Sequence, residues 1–445
     1  MKLKSKFGLA ILASIVWGIF TMYFGIPWIA DIAIVFSLSF AWFSVIGIAL
    51  IPGLAMAFIN ASLIMDKRKD YNGLKEHPPV SILIAAKNEE ENIKYTLESI
   101  LRQQYDGDIQ VIILNDGSTD TTIMQVGSMI DNQKWINKTK PHLYNKNVNV
   151  KLYNYNQSVG KANRLNDGLS FAKHDFIITL DADSVLHTPK AVYNLMAHII
   201  NRGEDCAAVA GTILVDNGYK SLMTRIQQWD YIFGIASVKR IQSMYKGTLV
   251  AQGAFSVYKK SVLKELGGWP DKIGEDIVLT WGIHSLGYKV GYEANAIAFT
   301  NVPETYKHFF RQRKRWARGL IEAFKSYPKN LFAFKMHTPF VWYNFVFPYI
   351  DFTFLFIFVP GVIAALFFEW YLMASIMTLY LLPIGLISNF IMYRIQKKSM
   401  KNNLLEMPQK NKSGFFIYLL FYQLIMTPAT LSGYVSELLK RKRIW

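Results

Sequence analysis

Cysteine is nearly absent from this chain of 445 residues: Cys206 stands alone. A disulfide within the chain and a thiolate metal site are therefore excluded. Eight histidines are present, but they form no His-Glu-x-x-His and no close pair at helical spacing. No internal repeat or low-complexity segment is evident. Acidic residues are few, 32 against 49 Lys and Arg, which leaves a net charge of +17. That balance suits anionic partners. Nucleic acid is one class, but beyond a cluster at Gln312 the chain has no basic-aromatic motif, so anionic lipid and anionic substrates fit better. The middle, from about 70 to about 335, lacks any run able to span a membrane.

The two ends supply what the middle lacks. Phe7 to Ala30 reads as a membrane span, and Ile32 to Met65 as a second, with Asp31 at the bend of a hairpin. Lys2, Lys4 and Lys6 precede the first; Lys67, Arg68 and Lys69 follow the second. The positive-inside rule puts both flanks, and the polar domain after them, in the cytoplasm. A cleaved signal peptide fits poorly, because the apolar core is too long and a second span follows at once. A further apolar block, Pro339 to Tyr393, is expected to hold an interfacial aromatic segment (Phe340 to Asn344) and two spans broken near Glu369. Lys397 to Lys412 is a basic loop. Phe415 to Leu438 is a last apolar segment, followed by Lys440-Arg441-Lys442-Arg443. If it crosses, that tail lies outside, against the rule; if it is re-entrant, the count changes. The expected division is two N-terminal transmembrane helices over 1–69, a cytoplasmic domain over 70–335, and an interfacial helix with about three further segments over 336–445.

About 265 residues suffice for one sizeable α/β domain. Pro79 to Ala86 is a short apolar run, a buried parallel strand. Lys87 to Asn92 follows with carboxylates where a helix dipole favours them. A helix from Glu91 to Arg102 leads to a strand from Ile109 to Leu114. This βαβ unit implies a right-handed crossover and ligands beyond the carboxyl ends of the strands. Asp116 falls just past the second strand. Asp181 and Asp183 fall just past Phe176 to Leu180. Asp106-Gly107-Asp108 is also an Asp-x-Asp, but it precedes its strand and reads as a surface turn. One such triplet is expected by chance about once in a chain this long, so position after a strand is what favours Asp181 and Asp183.

These residues suit one chemistry. A nucleoside diphosphate carries charge that must be neutralised as a sugar leaves, and a divalent cation, Mg²⁺ or Mn²⁺, on a carboxylate such as Asp183 does this. Asp116 can accept N–H or ribose O–H hydrogen bonds from a uridine. Lys161, in Ser158-Val159-Gly160-Lys161-Ala162-Asn163, has the reach to touch a nucleotide or phosphate. Glu275-Asp276 opens a helical stretch; Asp276 is a natural base there, and the pair would equally cap the helix. Thr305 to Phe324 reads as a helix on which Gln312, Arg315 and Trp316 share one face. Trp316 offers a flat surface for a sugar and Arg315 donors for a diphosphate. Snorkelling arginines and a rim tryptophan would give the same pattern on an interfacial helix.

Taken together, these residues resemble the processive family-2 glycosyltransferases: hyaluronan, chitin and cellulose synthases and the poly-β-1,6-N-acetylglucosamine synthases of bacterial biofilms. The likeness runs over nearly the whole chain. It implies a Rossmann-like α/β GT-A glycosyltransferase domain inserted between α-helical transmembrane segments of the cell membrane. It implies nucleotide-sugar binding by Ala86, Glu89, Asp116, Lys161, Asp181 and Asp183, with Asp183 also holding the divalent cation. Asp276 matches the base of the Glu-Asp motif, with Glu275 beside it. Gln312, Arg315 and Trp316 match Gln-x-x-Arg-Trp at the acceptor and diphosphate.

Gly274 to Thr280 and Asn301 to Thr305 are most similar to the poly-N-acetylglucosamine branch. Gly274 departs from the Thr-Glu-Asp common there, and chitin-oligomer synthases share Gly-Glu-Asp. The chain after Leu438 is too short for the cyclic-di-GMP barrel of a cellulose synthase. The implied partners are a UDP-sugar donor, the growing exopolysaccharide, the lipid bilayer and a small membrane accessory subunit, without nucleic acid. The alternatives are a chitin- or hyaluronan-type synthase and a non-processive transferase that loads one sugar onto a lipid phosphate. A transporter or scaffold with a degenerate domain fits less well with intact carboxylates at Asp116, Asp183 and Asp276.

Overall fold

The computed structural model describes residues 2–67, 71, 73–139, 145–374 and 376–441. Arg68, Lys69, Lys442 and Arg443 of the basic flanks lie outside the described residues, as does the expected domain start at residue 70. The strands are β1 (Val80–Ala86), β2 (Ile109–Asp116), β3 (Val148–Tyr155), β4 (Phe176–Leu180), β5 (Ser184–Leu186), β6 (Cys206–Val215), β7 (Phe255–Lys259) and β8 (Lys289–Thr300). The helices are α1 (Leu3–Val35), α2 (Leu38–Ile64), α3 (Ile93–Leu101), α4 (Thr122–Thr139), α5 (Lys161–Phe171), α6 (Ala191–Asn201), α7 (Leu222–Asp230), α8 (Val238–Met244), α9 (Lys260–Glu265), α10 (Glu275–Ser285), α11 (Tyr306–Ser326), α12 (Thr338–Phe368), α13 (Ile376–Asn402) and α14 (Lys412–Leu438).

The strands form one mixed sheet in the order β3-β2-β1-β4-β7-β6-β8-β5. β1 to β4 are mutually parallel where they pair, as βαβ crossovers require. Beyond β4 the sheet changes character: β7 runs antiparallel to both β4 and β6, and β5 antiparallel to β8. β1 and β2 are near-continuous apolar runs because both their faces are covered. β2 extends to Asp116 rather than stopping at Leu114, because Asn115 and Asp116 still pair with Asn154 and Tyr155 of β3. Asp116 is thus the last residue of its strand.

Among the described residues, four helices are long and apolar enough to cross a membrane: α1, α2, α12 and α14. The aromatic stretch from Phe340 to Asn344 is the opening of α12 rather than a separate element. α12 ends at Phe368, where Glu369 adopts the left-handed backbone. The apolar helices are joined to the sheet domain by a shared core. Phe58 and Leu63 of α2, Phe340 of α12, Tyr245, Trp281 of α10 and Leu320 of α11 pack in one buried cluster. Polar contacts pin the same seam: Ser62 hydrogen-bonds Tyr245 at 2.9 Å, and Arg240 pairs with Asp66.

Candidate active site

The strand ends, α10 and α11 enclose a cavity of about 420 Å³. Its wall brings together Lys161, Asp181, Asp183, Glu275, Asp276, Gln312, Arg315 and Trp316. These come from segments far apart in sequence, joined because the sheet, in the order β4-β7-β6-β8, carries these strands past the same cavity, where the start of α10 meets them. Ala86, Glu89 and Asp116 are not on that wall. Ala86 is the buried last residue of β1. Glu89, in the turn that follows, accepts a hydrogen bond from Asn92 at 2.9 Å and adds its charge to the field at Asp183. Burial, then the charges of Asp181 and Asp120, raise its own pKa.

Asp116 is filled from within the chain. Its Oδ1 accepts from Arg164 Nε at 2.8 Å and from the Val159 N–H at 2.9 Å. Its Oδ2 accepts from Ser158 Oγ at 2.6 Å and from the Gly160 N–H at 3.0 Å. Burial alone would push this carboxyl up, but those four donors together hold it below its usual range. The arrangement needs Gly160, whose φ of +92° is a conformation side-chain-bearing residues rarely adopt. It ties the 158–160 loop and Arg164 in the first turn of α5 to the end of β2, and launches α5 at Lys161. Arg164 lies one residue past the loop segment that sequence reading singled out. Its guanidinium also stacks on Tyr155 at 3.7 Å, so its importance is a matter of tertiary contact, without a motif to announce it.

Lys161 pairs with Asp181, and its Nζ lies 4.0 Å from Glu275 Oε1. Burial opposes its charge, yet the carboxylates of Asp181, Glu275 and Asp276 outweigh that and raise its pKa. Among the described residues, Asp183 has no ion-pair partner. Burial, then Asp181 and Glu89, push its carboxyl up to about 7, against weaker help from Lys161 and a 3.3 Å hydrogen bond donated by Thr300. Glu275 is likewise pushed up to about 7, by burial and then by Asp276, with Lys161 and Arg315 opposing.

Asp276 sits in the first turn of α10. One carboxylate oxygen accepts from the Ile277 N–H at 2.8 Å. The other has no hydrogen-bond partner among the described residues, so it remains available to a ligand. α10 is held against α11 by two glycines: a side-chain carbon at Gly274 would come within 2.5 Å of Gly319 Cα. This contact is a physical reason for glycine where the related branch carries threonine. On α11, Gln312, Arg315 and Trp316 face the cavity, while Arg313 is buried and pairs with Asp230 at 2.9 Å. Arg313 also covers the Trp316 ring at 4.0 Å, which steadies the indole. Sequence reading missed this pair, because Asp230 lies some eighty residues away.

The donor set suits a hard divalent cation. Asp183 presents an under-compensated carboxylate to the cavity, and all nearby acidic ligands are oxygen. Among the described residues, no group of three or more His, Cys, Asp or Glu could hold an ion by itself.

Residues 81–267 match the family described as Glycosyl transferase family 2, and residues 176–388 match Glycosyl transferase family group 2. The chain is 33% identical over 261 residues to a poly-beta-1,6-N-acetyl-D-glucosamine synthase of Staphylococcus epidermidis, covering 57% of this chain and 59% of that protein. It is 30% identical over 297 residues to the protein of the same name from Staphylococcus aureus (strain COL), covering 64% and 67%. The match thus spans under two thirds of the length of the S. epidermidis relative. Among solved structures, a mannosyltransferase from Pyrobaculum calidifontis, PcManGT, in complex with GDP-Man and Mn²⁺, shares the fold. It has a TM-score of 0.54 at 18% identity, and the match covers 88% of this chain and 96% of that one.

Proposed function

The chain belongs to glycosyltransferase family 2, and from that premise we propose that it polymerises N-acetylglucosamine from UDP-N-acetylglucosamine into a poly-β-1,6-linked exopolysaccharide. The observation that carries this reading is the single cavity where Asp181 and Asp183, Glu275 and Asp276, and Gln312, Arg315 and Trp316 meet. The name of the staphylococcal relatives supports the choice of sugar and linkage.

The residues divide the work. Asp181, braced by Lys161, faces the nucleotide. Asp183 would hold Mg²⁺ or Mn²⁺, which when bound offsets charge on the departing diphosphate. Arg315 and the Gln312 side-chain NH₂ donate to the same diphosphate; the buried Gln312 side-chain oxygen, without a partner among the described residues, is left to accept from a ligand hydroxyl. Trp316 stacks on the acceptor sugar. Asp276 takes the proton of the acceptor hydroxyl as its oxygen bonds to C1 of the donor sugar and the C1–O bond to UDP breaks. One displacement inverts the configuration at C1 and needs no covalent enzyme intermediate. The core that joins the sheet domain to α2 and α12 supports export of the growing chain along the apolar helices.

The test is turnover of labelled UDP-sugars by purified protein with Mn²⁺, with products sized by gel and mass spectrometry. A ladder of long N-acetylglucosamine polymer, lost in excess chelator, is expected. Asp276→Asn should keep UDP affinity and lose at least about 10²-fold in transfer. A single sugar on a lipid phosphate, or consumption of a different sugar only, would overturn the reading.

A further inference from the structure

One charged group on the cavity wall has no part in the division of work above. Lys239 lies in α8, directly beyond a π-helical segment, Tyr231–Ser237, that continues α7. Such segments are rare and concentrate at functional sites. Tyr231, Ile235 and Lys239 recur every four residues and all line the cavity. Among the described residues, no hydrogen bond or ion pair reaches the Lys239 ammonium. Of the neighbouring cations, Lys161 is paired with Asp181 and Arg313 with Asp230, and Arg315 on the same wall is assigned to the diphosphate.

An unpaired ammonium recessed in a wall is costly unless something binds it. Burial lowers the Lys239 pKa to about 7, and Asp276 is the one charged neighbour opposing that shift. Asp276 acts on Lys161, Glu275 and Lys239 alike, but the first two also feel other charges, whereas Lys239 feels that carboxylate alone. Lys239 shares the cavity wall with Asp276 and Trp316, the base and the stacking surface assigned to the acceptor.

We propose that Lys239 is an acceptor-binding residue whose ammonium donates to a non-reacting oxygen of the acceptor's terminal sugar and so fixes which hydroxyl faces Asp276. A hydroxyl or N-acetyl carbonyl oxygen supplies the partner that the chain itself does not. Held at one such oxygen and stacked on Trp316, the sugar ring is fixed at two points, enough to present one hydroxyl to the base. This inference rests on the polymerase reading and deepens it.

The experiment compares wild type, Lys239→Met and Lys239→Arg, with UDP-N-acetylglucosamine as donor and a β-1,6-linked N-acetylglucosamine tetramer as added acceptor. Loss of a hydrogen bond from a charged donor should raise the acceptor KM on the order of 10- to 100-fold in the Met variant, while donor KM and UDP affinity stay within about twofold. Lys239→Arg should recover most of the acceptor affinity. An unchanged acceptor KM in Lys239→Met would overturn the inference. So would an equal loss of UDP affinity by a variant whose melting transition is intact, since that places Lys239 on the donor side. Should Lys239→Met not fold, Lys239→Gln gives the same readout. Wild type that turns over no UDP-N-acetylglucosamine removes the functional reading itself; active wild type with an indifferent Lys239→Met removes only this inference.

Discussion

Glu275 and Asp183 are carboxyl groups that the cavity holds away from their ordinary ionisation. For Glu275 the folded pKa is about 7 against an ordinary 4.5, with burial the larger cause and Asp276 the next. A raised carboxyl binds its proton more tightly in the folded protein. Its contribution to stability is therefore full below about pH 4.5 and is lost as pH rises through about 7. Glu275→Gln removes that loss. We expect its unfolding free energy to match wild type near pH 4.5 and to exceed it at pH 8 by on the order of 1–3 kcal/mol, read from denaturant melts at the two pH values. Equal stability at both pH values would mean that the attraction of Lys161 cancels the burial of Glu275. At this scale one set of motif residues was legible, while Ala86, Glu89 and Asp116, expected at the same site, lie off its wall. Asp181, Asp183, Glu275, Asp276, Gln312, Arg315 and Trp316 could all be picked from spacing and do meet on one wall. Arg164, Asp230 and Lys239 could not, because their significance arises from partners, or the lack of one, that only the tertiary fold defines.

Among elements, the first half of the sheet was readable and the second was not. β1, β2 and β4 are short apolar runs followed by polar turns, which is what a doubly covered parallel strand must be. β6 begins Cys206-Ala207-Ala208-Val209-Ala210-Gly211, small residues with no alternation, and its neighbours in the sheet are β7 and β8, both distant in sequence. The direction of those pairings has no local signal. The seam between α10 and α11 is a second feature invisible in the sequence. Gly274 and Gly319 touch through their backbones, which brings Asp276 within the same cavity as Arg315 and Trp316. Gly319→Ala must part these helices, because the added carbon would lie 2.7 Å from Gly274 Cα. A misplacement of a reacting group by about 1 Å costs on the order of 10²-fold. We expect kcat to fall by more than about tenfold with UDP affinity nearly unchanged, since the nucleotide side is built on β4 and α5 instead. Normal kcat in Gly319→Ala would show that the seam can open without moving the base.

For the whole molecule, the question is which side of the membrane each apolar helix serves, and α14 decides it. By length and composition α14 qualifies as a span. Its contacts favour a different role. Before its first turn, buried Asn411 donates to the Arg225 carbonyl at 2.8 Å and accepts, through its own carbonyl, from Trp229 Nε1 at 3.0 Å. At its other end Glu437 pairs with Arg318 at 3.1 Å and with Lys325 at 3.1 Å. Both ends are therefore fastened to the sheet domain's own helices, α7 and α11. Its midsection lies against Asp351 of α12, which accepts from Gln423 at 2.8 Å and Thr430 at 2.6 Å. Exposed Phe416, Leu420 and Leu424 form a stripe on one face, as expected of a helix lying along lipid rather than through it. That arrangement keeps α1, α2 and α12 of the four apolar helices as crossings and requires α13, which is not one of the four, to supply the fourth. The basic stretch around Lys397, Lys398 and Lys401 then shares a side with Lys440 and Arg441, and the conflict between a crossing α14 and the positive-inside rule disappears. The expected outcome is that single cysteines placed at Lys398 and at Lys440, in a Cys206→Ala background, react with a membrane-impermeant maleimide only after the cells are opened. Labelling of the Lys440 position in intact cells would put the C-terminal end outside and make α14 a true span.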